Sequence, residues 1–519
     1  MEIKELIPTP RDYQKNIFDT CMKNNCLVVL PTGTGKTLIA VMLAIERFKK
    51  LPLEKILILA PTRPLVEQHF TSFKKQIKES DTWADMQIFT GKTPADQRKK
   101  IWQTAEFIFS TPQCISNDLK NGLYDLSEVA LLIEDECHRC VKNYAYTFIA
   151  EKYKQQGTNQ RVLGLTASPG SDKKAIMKIC ENLGIDSVEI RTRESKDVKP
   201  YLQELEFEQI EIDFPPEFEE IRYLLKQLFE KKVMELKNRK VLYTYPSKTN
   251  LIQLQNKLFA QIRFNKNMNN LMAVSACAQA IKIQHALELL ETQTIGSLIN
   301  YMKKLYEQSK ENKGAKRLIS DSLFAKSYTL ATTLTKEHPK IQKIAEIVEE
   351  QIRKNEKAKI LVFSQYRETV SRVVEQLNKI KNIKAKSFVG QSKKIEGHGK
   401  KAETSGLKQE EQGALIKDFS EGKINVLVAT SIGEEGLDIP EVNEVIFYEP
   451  VPSAIRKIQR AGRTARLMPG MLKILVTKNT RDQAYYYASK AKEKTMHKAI
   501  DDIKNNLNNK EKDQKKLFE

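Results

Sequence analysis

Residues 27–48 read LVVLPTGTGKTLIAVMLAIERF. The first four are apolar or β-branched and suit a buried strand, while Thr37 to Phe48 carries apolar residues at helical spacing. The turn between them, PTGTGKT (31–37), therefore stands between a strand and a helix N-terminus. Backbone N–H groups and the helix dipole favour phosphates at such a place. There Lys36 can reach the β- and γ-phosphates of a nucleotide and the Thr37 hydroxyl can coordinate Mg²⁺, with Thr32, Gly33, Thr34 and Gly35 forming the cradle. One feature departs from the common G-x-x-x-x-G-K-[ST] pattern: Leu30 holds the place of its first glycine.

A phosphate loop needs a carboxylate partner, and LLIEDECH (131–138) supplies one. Asp135 and Glu136 close an apolar strand, where the chain turns and both can face one cleft. Asp135 would hold Mg²⁺ and Glu136 would take a proton from an attacking water. The pair Cys137-x-x-Cys140 has zinc or redox spacing, but no second cysteine pair accompanies it, so carboxylate chemistry is preferred here. Farther on, QRAGRTAR (459–466) is a dense cationic cluster. Facing a neighbouring domain's phosphate loop, Arg463 and Arg466 could neutralise charge developing on a γ-phosphate.

Working outward, short apolar runs alternate with helical stretches in two blocks. KILILA (55–60), FIFST (107–111), VALLIEDE (129–136) and RVLGLTA (161–167) form the first; KILVFSQY (359–366), NVLVATS (425–431), EVIFYEP (444–450) and KILVT (473–477) form the second. Runs of this length with helix-length spacers predict buried parallel strands, hence two doubly wound α/β domains. Between them, over 211–337, long helical periodicity predicts an all-helical insert. The expected divisions are 1–210, 211–337, 338–480 and 481–519, the last a helix with a flexible tail that frays over 501–519. Residues 390–406, rich in Gly, Lys and Ser, predict a loop.

The formal charge is +20, from 86 Lys+Arg against 66 Asp+Glu, which points to a polyanionic partner. Over 221–340 there are 21 Lys+Arg against 8 Asp+Glu, so the insert is expected to follow phosphates. The apolar runs are too short to span a bilayer and the polar start MEIKELIPTPRDYQ does not read as a signal peptide. Seven scattered cysteines suit a reducing compartment, and a cytoplasmic location is expected.

Taken in order, these segments resemble the motifs of superfamily 2 helicases, with two RecA-like domains. RDYQ (11–14) is similar to the adenine-reading motif, which implies Gln14 as base reader. PTGTGKT resembles motif I, where Gly33 and Gly35 are the required glycines and the place of Leu30 is free to be apolar. APTRPLVEQ (60–68) is similar to motif Ia, DECH to motif II, and TAS (166–168) to motif III, which implies Thr166 and Ser168 as coupling residues. VFSQY (362–366) and ATSIGEEGLDIP (429–440) resemble motifs IV and V. The last implies Gly436 and Asp438 at the nucleotide, Asp438 near its ribose, and Thr430 on a nucleic-acid phosphate. QRAGRTAR resembles motif VI, which implies Gln459 near the γ-phosphate and Arg463 and Arg466 as arginine fingers; Ala465 stands where many relatives carry Gly. Further nucleic-acid contacts implied are Thr62, Arg63, Thr90, Gly91, Thr111, Gly390 and Gln391.

The helical insert narrows the resemblance to Hef and its FANCM relatives, the RIG-I-like receptors and Dicer. QHALELLETQ (284–293), FVGQ (388–391), GLKQEEQ (406–412), SIGEEGLDIPEV (431–442) and FYEPVPSAIRKIQR (447–460) are similar to Hef. The resemblance implies an ATP- and Mg²⁺-dependent helicase or translocase moving 3′→5′ on branched DNA such as stalled forks. The sequence stops at Glu519 without the XPF-type nuclease domain of the archaeal family, so a monomer is expected. The alternatives are an RNA helicase or double-stranded-RNA-dependent ATPase, and a non-catalytic nucleic-acid scaffold; the second requires a broken motif I, II or VI.

Overall fold

The computed structural model describes residues 9–79, 84–170, 172–264, 267–390, 392–393, 404–407, 409–430, 439–451 and 470–518. Its first unit is a seven-stranded sheet of β1 (Cys26–Val29), β2 (Lys55–Leu59), β3 (Met86–Phe89), β4 (Phe107–Ser110), β5 (Val129–Asp135), β6 (Val162–Thr166) and β7 (Ser187–Ile190). The order is β3-β4-β2-β5-β6-β1-β7, and every pairing is parallel. Strands β1, β2, β4, β5 and β6 are buried along their whole length, as expected of a sheet covered on both faces. Helices α1 (Asp12–Lys23), α2 (Lys36–Lys50), α3 (Arg63–Glu79), α4 (Ala95–Thr104), α5 (Pro112–Lys120), α6 (Ala145–Gln156) and α7 (Lys173–Leu183) supply that cover. Two apolar cores result, one per face: Ile39, Leu43, Phe73 and Phe107 on one, Ile115, Tyr146, Tyr153 and Leu183 on the other.

The chain leaves this unit through β8 (Leu205–Ile212), which is a strand of the other sheet and runs parallel to β15 (Gly470–Thr477) over its full length. The expected division at residue 210 thus falls inside β8. The rest of that sheet is β9 (Ile360–Phe363), β10 (Ala385–Phe388), β13 (Val426–Ala429) and β14 (Glu444–Phe447), in the order β10-β13-β9-β14-β15-β8. A two-stranded ribbon, β11 (Ser392–Lys393) with β12 (Thr404–Ser405), lies in the segment expected to be a loop. Helices α14 (Pro339–Lys354), α15 (Arg367–Leu377) and α16 (Gln409–Ser420) belong to this second unit. In α14 the apolar residues Ile341, Ile344, Ile347, Val348 and Ile352 all turn into the core, the 3.6-residue stripe that makes a surface helix amphipathic.

Because β8 precedes the insert and α14 follows it, the helical domain is nested within the second unit. It comprises α8 (Pro216–Asn238), α9 (Lys248–Phe264), α10 (Met268–Thr292), α11 (Ile295–Gln308), α12 (Lys313–Ile319) and α13 (Ser322–Thr333). Phe218, Leu225, Leu290, Leu298, Met302 and Phe324 form one core, and Leu236, Leu251, Leu258, Ala276 and Cys277 a smaller one at the far end. The last described helix runs from Arg481 to Phe518, through the segment expected to fray. Ile503 anchors it, buried with Met496 and Ala499 in a core of the first unit.

Candidate active site

In a parallel sheet all strands end at one edge, and ligands collect in the crevice beyond those ends. Here β1, β6 and β5 are consecutive neighbours, with Val29 paired to Thr166 and Leu165 to Asp135. The sheet therefore brings the loop after Leu30, the TAS segment and the DE pair side by side.

The loop is built from its own backbone. Gly33 and Gly35 have φ of 82° and 81°, and Gly35 caps α2. A side chain at Gly35 would be strained by its φ and would also place Cβ 2.2 Å from Gln14 Nε2. Lys36 folds back, its ammonium donating to the carbonyls of Leu30 at 2.9 Å and Pro31 at 3.3 Å. Leu30 itself is fully buried, and its N–H donates to Thr166 O at 3.1 Å. Its side chain anchors the loop and its carbonyl holds the lysine, neither of which a glycine's freedom would improve. The first turn of α1 clamps the other side: Tyr13 OH and Gln14 Nε2 donate to Thr34 O at 2.6 and 3.0 Å. Gln14 Oε1 accepts from Arg11 N at 2.8 Å, so the residue is buried against the loop.

Asp135 ends β5 with its Oδ2 2.8 Å from His69 Nε2, a buried contact from α3. Burial pushes its carboxyl up, but the His69 hydrogen bond and the nearby Lys36 charge outweigh that and hold it below its ordinary value. Its carbonyl accepts from the buried Tyr146 hydroxyl at 2.6 Å. Glu136 then takes φ 50°, a left-handed conformation uncommon for a residue with a side chain. Such strain concentrates at functional sites. The turn sets Glu136 Oε2 3.3 Å from His138 Nδ1, which lies 3.2 Å from Thr166 Oγ1. Thr166 Oγ1 in turn donates to Ser168 O and accepts from Ser168 N, both at 3.1 Å. His138 thus stands between the carboxylate after β5 and the TAS segment, in contact with both. Cys137 and Cys140 are buried, and burial pushes both thiols well above their ordinary value.

The other expected residues of the first unit stand at strand ends on the same edge. Thr62 and Arg63 follow β2, Thr90 and Gly91 follow β3, and Thr111 follows β4 as the cap of α5. Arg63 pairs with Glu67 at 2.7 Å. In the second sheet, Gly390 follows β10, its carbonyl accepting from Arg367, and Thr430 follows β13 with its N–H donating to Phe388 O. Gln391, Gly436, Asp438, Gln459, Arg463 and Arg466 lie outside the described residues. Three supporting residues escaped sequence reasoning: His69, Tyr13 and Tyr146. For His69 a signal existed, since Val66, His69, Phe73 and Ile77 share helical spacing on the buried side of α3.

The loop and carboxylate geometry fit a nucleotide and Mg²⁺: a glycine loop opens α2, a lysine is parked on replaceable carbonyls, and a buried aspartate is kept ionised beside it. Residues 11–176 match the DEAD/DEAH box helicase family and 339–468 the helicase conserved C-terminal domain. Fold and site together therefore define a two-domain helicase core. Residues 217–338 match a helical bundle described as that of a putative ATP-dependent RNA helicase. The chain is 42% identical to the crystallised Hef helicase domain of Pyrococcus furiosus, with a TM-score of 0.68, covering 93% of this chain and 98% of that one. The chain belongs to the Hef helicase family. It is also 39% identical to a putative ATP-dependent RNA helicase of Methanocaldococcus jannaschii, over 94% of this chain and 60% of that protein. Against the Fanconi anemia group M protein homolog of Mus musculus it is 32% identical, over 94% of this chain and 26% of that protein. The chain thus spans only part of the length of these curated relatives. Among the described residues no helix is long and apolar enough to cross a membrane.

Proposed function

We propose that this chain is an ATP-driven translocase that remodels branched DNA such as stalled forks. The observation that carries the reading is the shared edge of β1, β6 and β5, where Lys36, Thr37, Asp135 and Glu136 converge beside a row of strand-end residues on β2, β3 and β4. On binding ATP, Lys36 exchanges the Leu30 and Pro31 carbonyls for phosphate oxygens. Asp135, oriented by His69, and the Thr37 hydroxyl would hold Mg²⁺, which would supply charge neutralisation on the β- and γ-phosphates. Glu136 accepts the proton of the attacking water as the new oxygen–phosphorus bond forms and the bond to ADP breaks. Gln14 reads the adenine, and Gly436 and Asp438 complete the nucleotide site. Gln459, Arg463 and Arg466 approach the γ-phosphate from the second unit when the cleft closes. Thr62, Arg63, Thr90, Gly91, Thr111, Gly390, Gln391 and Thr430 follow one strand's phosphates 3′→5′, while Thr166 and Ser168 couple the two processes in a monomer.

The RNA reading is the rival, because phosphate contacts discriminate DNA from RNA poorly and the Methanocaldococcus relative is named an RNA helicase. ATPase rates with forked DNA, single-stranded DNA and duplex RNA at one stated salt concentration separate the two. Forked DNA is expected to stimulate most; stimulation by duplex RNA alone overturns the proposal.

A further inference from the structure

The outer end of the helical insert carries a cavity of about 550 Å³ between the end of α8, the α8–α9 loop, α9 and the start of α10. Its floor is apolar, made by Val241, Leu254 and Leu258. Two aromatic rings flank it almost naked: Tyr243 is 83% exposed and Phe264 is 93% exposed. Large aromatic side chains so exposed lose much apolar hydration cost when something covers them.

The site is built rather than incidental. Leu242, buried in the insert's smaller core, pins the loop that carries Tyr243. The Tyr243 hydroxyl donates to Lys240 O at 2.6 Å, fixing the ring's direction. Arg239 is braced by Glu235 at 3.1 Å and by Asn269 Oδ1 at 3.2 Å, tying the end of α8 to the start of α10. Lys240 and Lys257 line the same cavity and make no ion pair among the described residues. Among the described residues no carboxylate lines it. The surrounding sequence is as one-sided: residues 236–287 contain eight Lys or Arg and no Asp or Glu.

We propose that this cavity receives an unpaired nucleobase at the branch of a nucleic-acid substrate, a reading that rests on the nucleic-acid function proposed above and specifies its site. Only an unstacked base offers its face to an aromatic ring; the bases of a continuous duplex are already stacked on each other. Tyr243 and Phe264 supply the stacking surfaces. Lys240 and Lys257 stand where they can meet the flanking phosphates. Gln261 and Asn270 bring amides, each with donors and an acceptor, to a rim where base edges present both. An acidic protein segment would satisfy the lysines but not this combination of flat rings and amides. The insert would then distinguish a branch from plain duplex by trapping the nucleotide that a branch exposes.

The test uses the full 519-residue chain and two DNA probes: a fork with 2-aminopurine at the first unpaired position beside the branch, and a blunt duplex of equal length. The Tyr243→Ala/Phe264→Ala double variant is expected to bind the fork roughly 5- to 150-fold more weakly, the range of one lost base–aromatic stack. Its affinity for the blunt duplex stays the same, and the fluorescence change of the bound fork probe disappears. Phe264→Trp, which keeps a ring, retains fork affinity. Fork affinity equal to wild type, or an equal loss on fork and duplex, overturns the proposal. A wild-type chain that binds forks without DNA-stimulated ATPase contradicts the function above; selective loss of fork binding in the double variant still supports the pocket.

Discussion

At Leu30 and Glu134 the sequence presents two residues that look misplaced, and the structure gives each a physical role. Leu30 closes β1 into the core and lends its carbonyl to Lys36. Glu134, one residue before the catalytic candidate Asp135, is fully buried beside the Cys140 thiol. Burial pushes its carboxyl well above the ordinary value, so it folds as the neutral acid. Its folded pKa lies above its unfolded one. The stability it contributes is therefore complete below the ordinary carboxylate range and is lost as pH rises toward the folded value. Glu134→Gln removes that titration: urea unfolding between pH 5 and pH 8 is expected to show a flatter stability profile than wild type, and an unchanged profile contradicts the assignment. The placement of Lys36, Thr37, Asp135 and Glu136 at one sheet edge was legible because each belongs to a short contiguous motif beside an apolar strand. His69 was legible only as one residue of a buried helix face, since its role depends on a partner 66 positions away. Glu134 was illegible for the same reason, because its burial is set by β2 and β6 on either side.

At the scale of elements, the strands buried along their whole length could be read from apolar runs, since such a strand leaves little else for the sequence to say, whereas β3, β7 and β10, partly exposed, give no such run. The strand β8 could not be read so either. LEFEQIEI (205–212) breaks its apolar alternation between Phe207 and Ile210 and is largely exposed, and nothing local tells which sheet it joins. Its pairing with β15 nests the helical insert in the second unit, and side-chain contacts fix it there. Thr369 Oγ1 donates to Gln293 Oε1 at 2.8 Å, and Lys340 pairs with Asp482 in a fully buried contact while donating to Thr292 O. Glu288 of α10 accepts from Lys248 at 2.8 Å and from the Tyr485 hydroxyl at 3.2 Å. Although burial pushes Glu288 up, His285 and Lys248 hold it down to about 2. Its folded pKa is thus depressed, so its stabilisation is present above the ordinary carboxylate range and is lost as pH falls through about 2. Glu288→Gln is expected to cost about 1–3 kcal/mol at pH 7 by leaving Lys248 and Tyr485 poorly partnered. It is also expected to flatten the acid limb between pH 4.5 and 2. Urea titrations at pH 7 and pH 3 check both, and an equal penalty at the two pH values would refute the pairing.

Over the whole molecule, the last described helix ties the two units together. It begins beside the insert, where Arg481 N donates to Glu291 at 3.2 Å, and it ends packed against the first unit. On the way the Ser168 hydroxyl donates to Met496 Sδ at 2.8 Å, and Lys173 pairs with Asp502 at 3.0 Å. A continuous set of contacts therefore runs from Glu136 through His138, Thr166 and Ser168 to a helix rooted in the second unit. Met496→Asp places a charge in that buried contact and is expected to reduce DNA-stimulated ATPase several-fold more than the rate without DNA. Equal reduction of both rates would assign Met496 to folding alone. The central claim is that nucleotide turnover at the shared edge of β1, β6 and β5 drives movement on branched DNA. Its most direct measurement is ATP-dependent unwinding of a forked duplex by wild type and by Lys36→Ala at matched fork occupancy. Wild type is predicted to unwind the fork while Lys36→Ala binds it and leaves it paired; a Lys36→Ala chain that unwinds as fast as wild type would contradict the account.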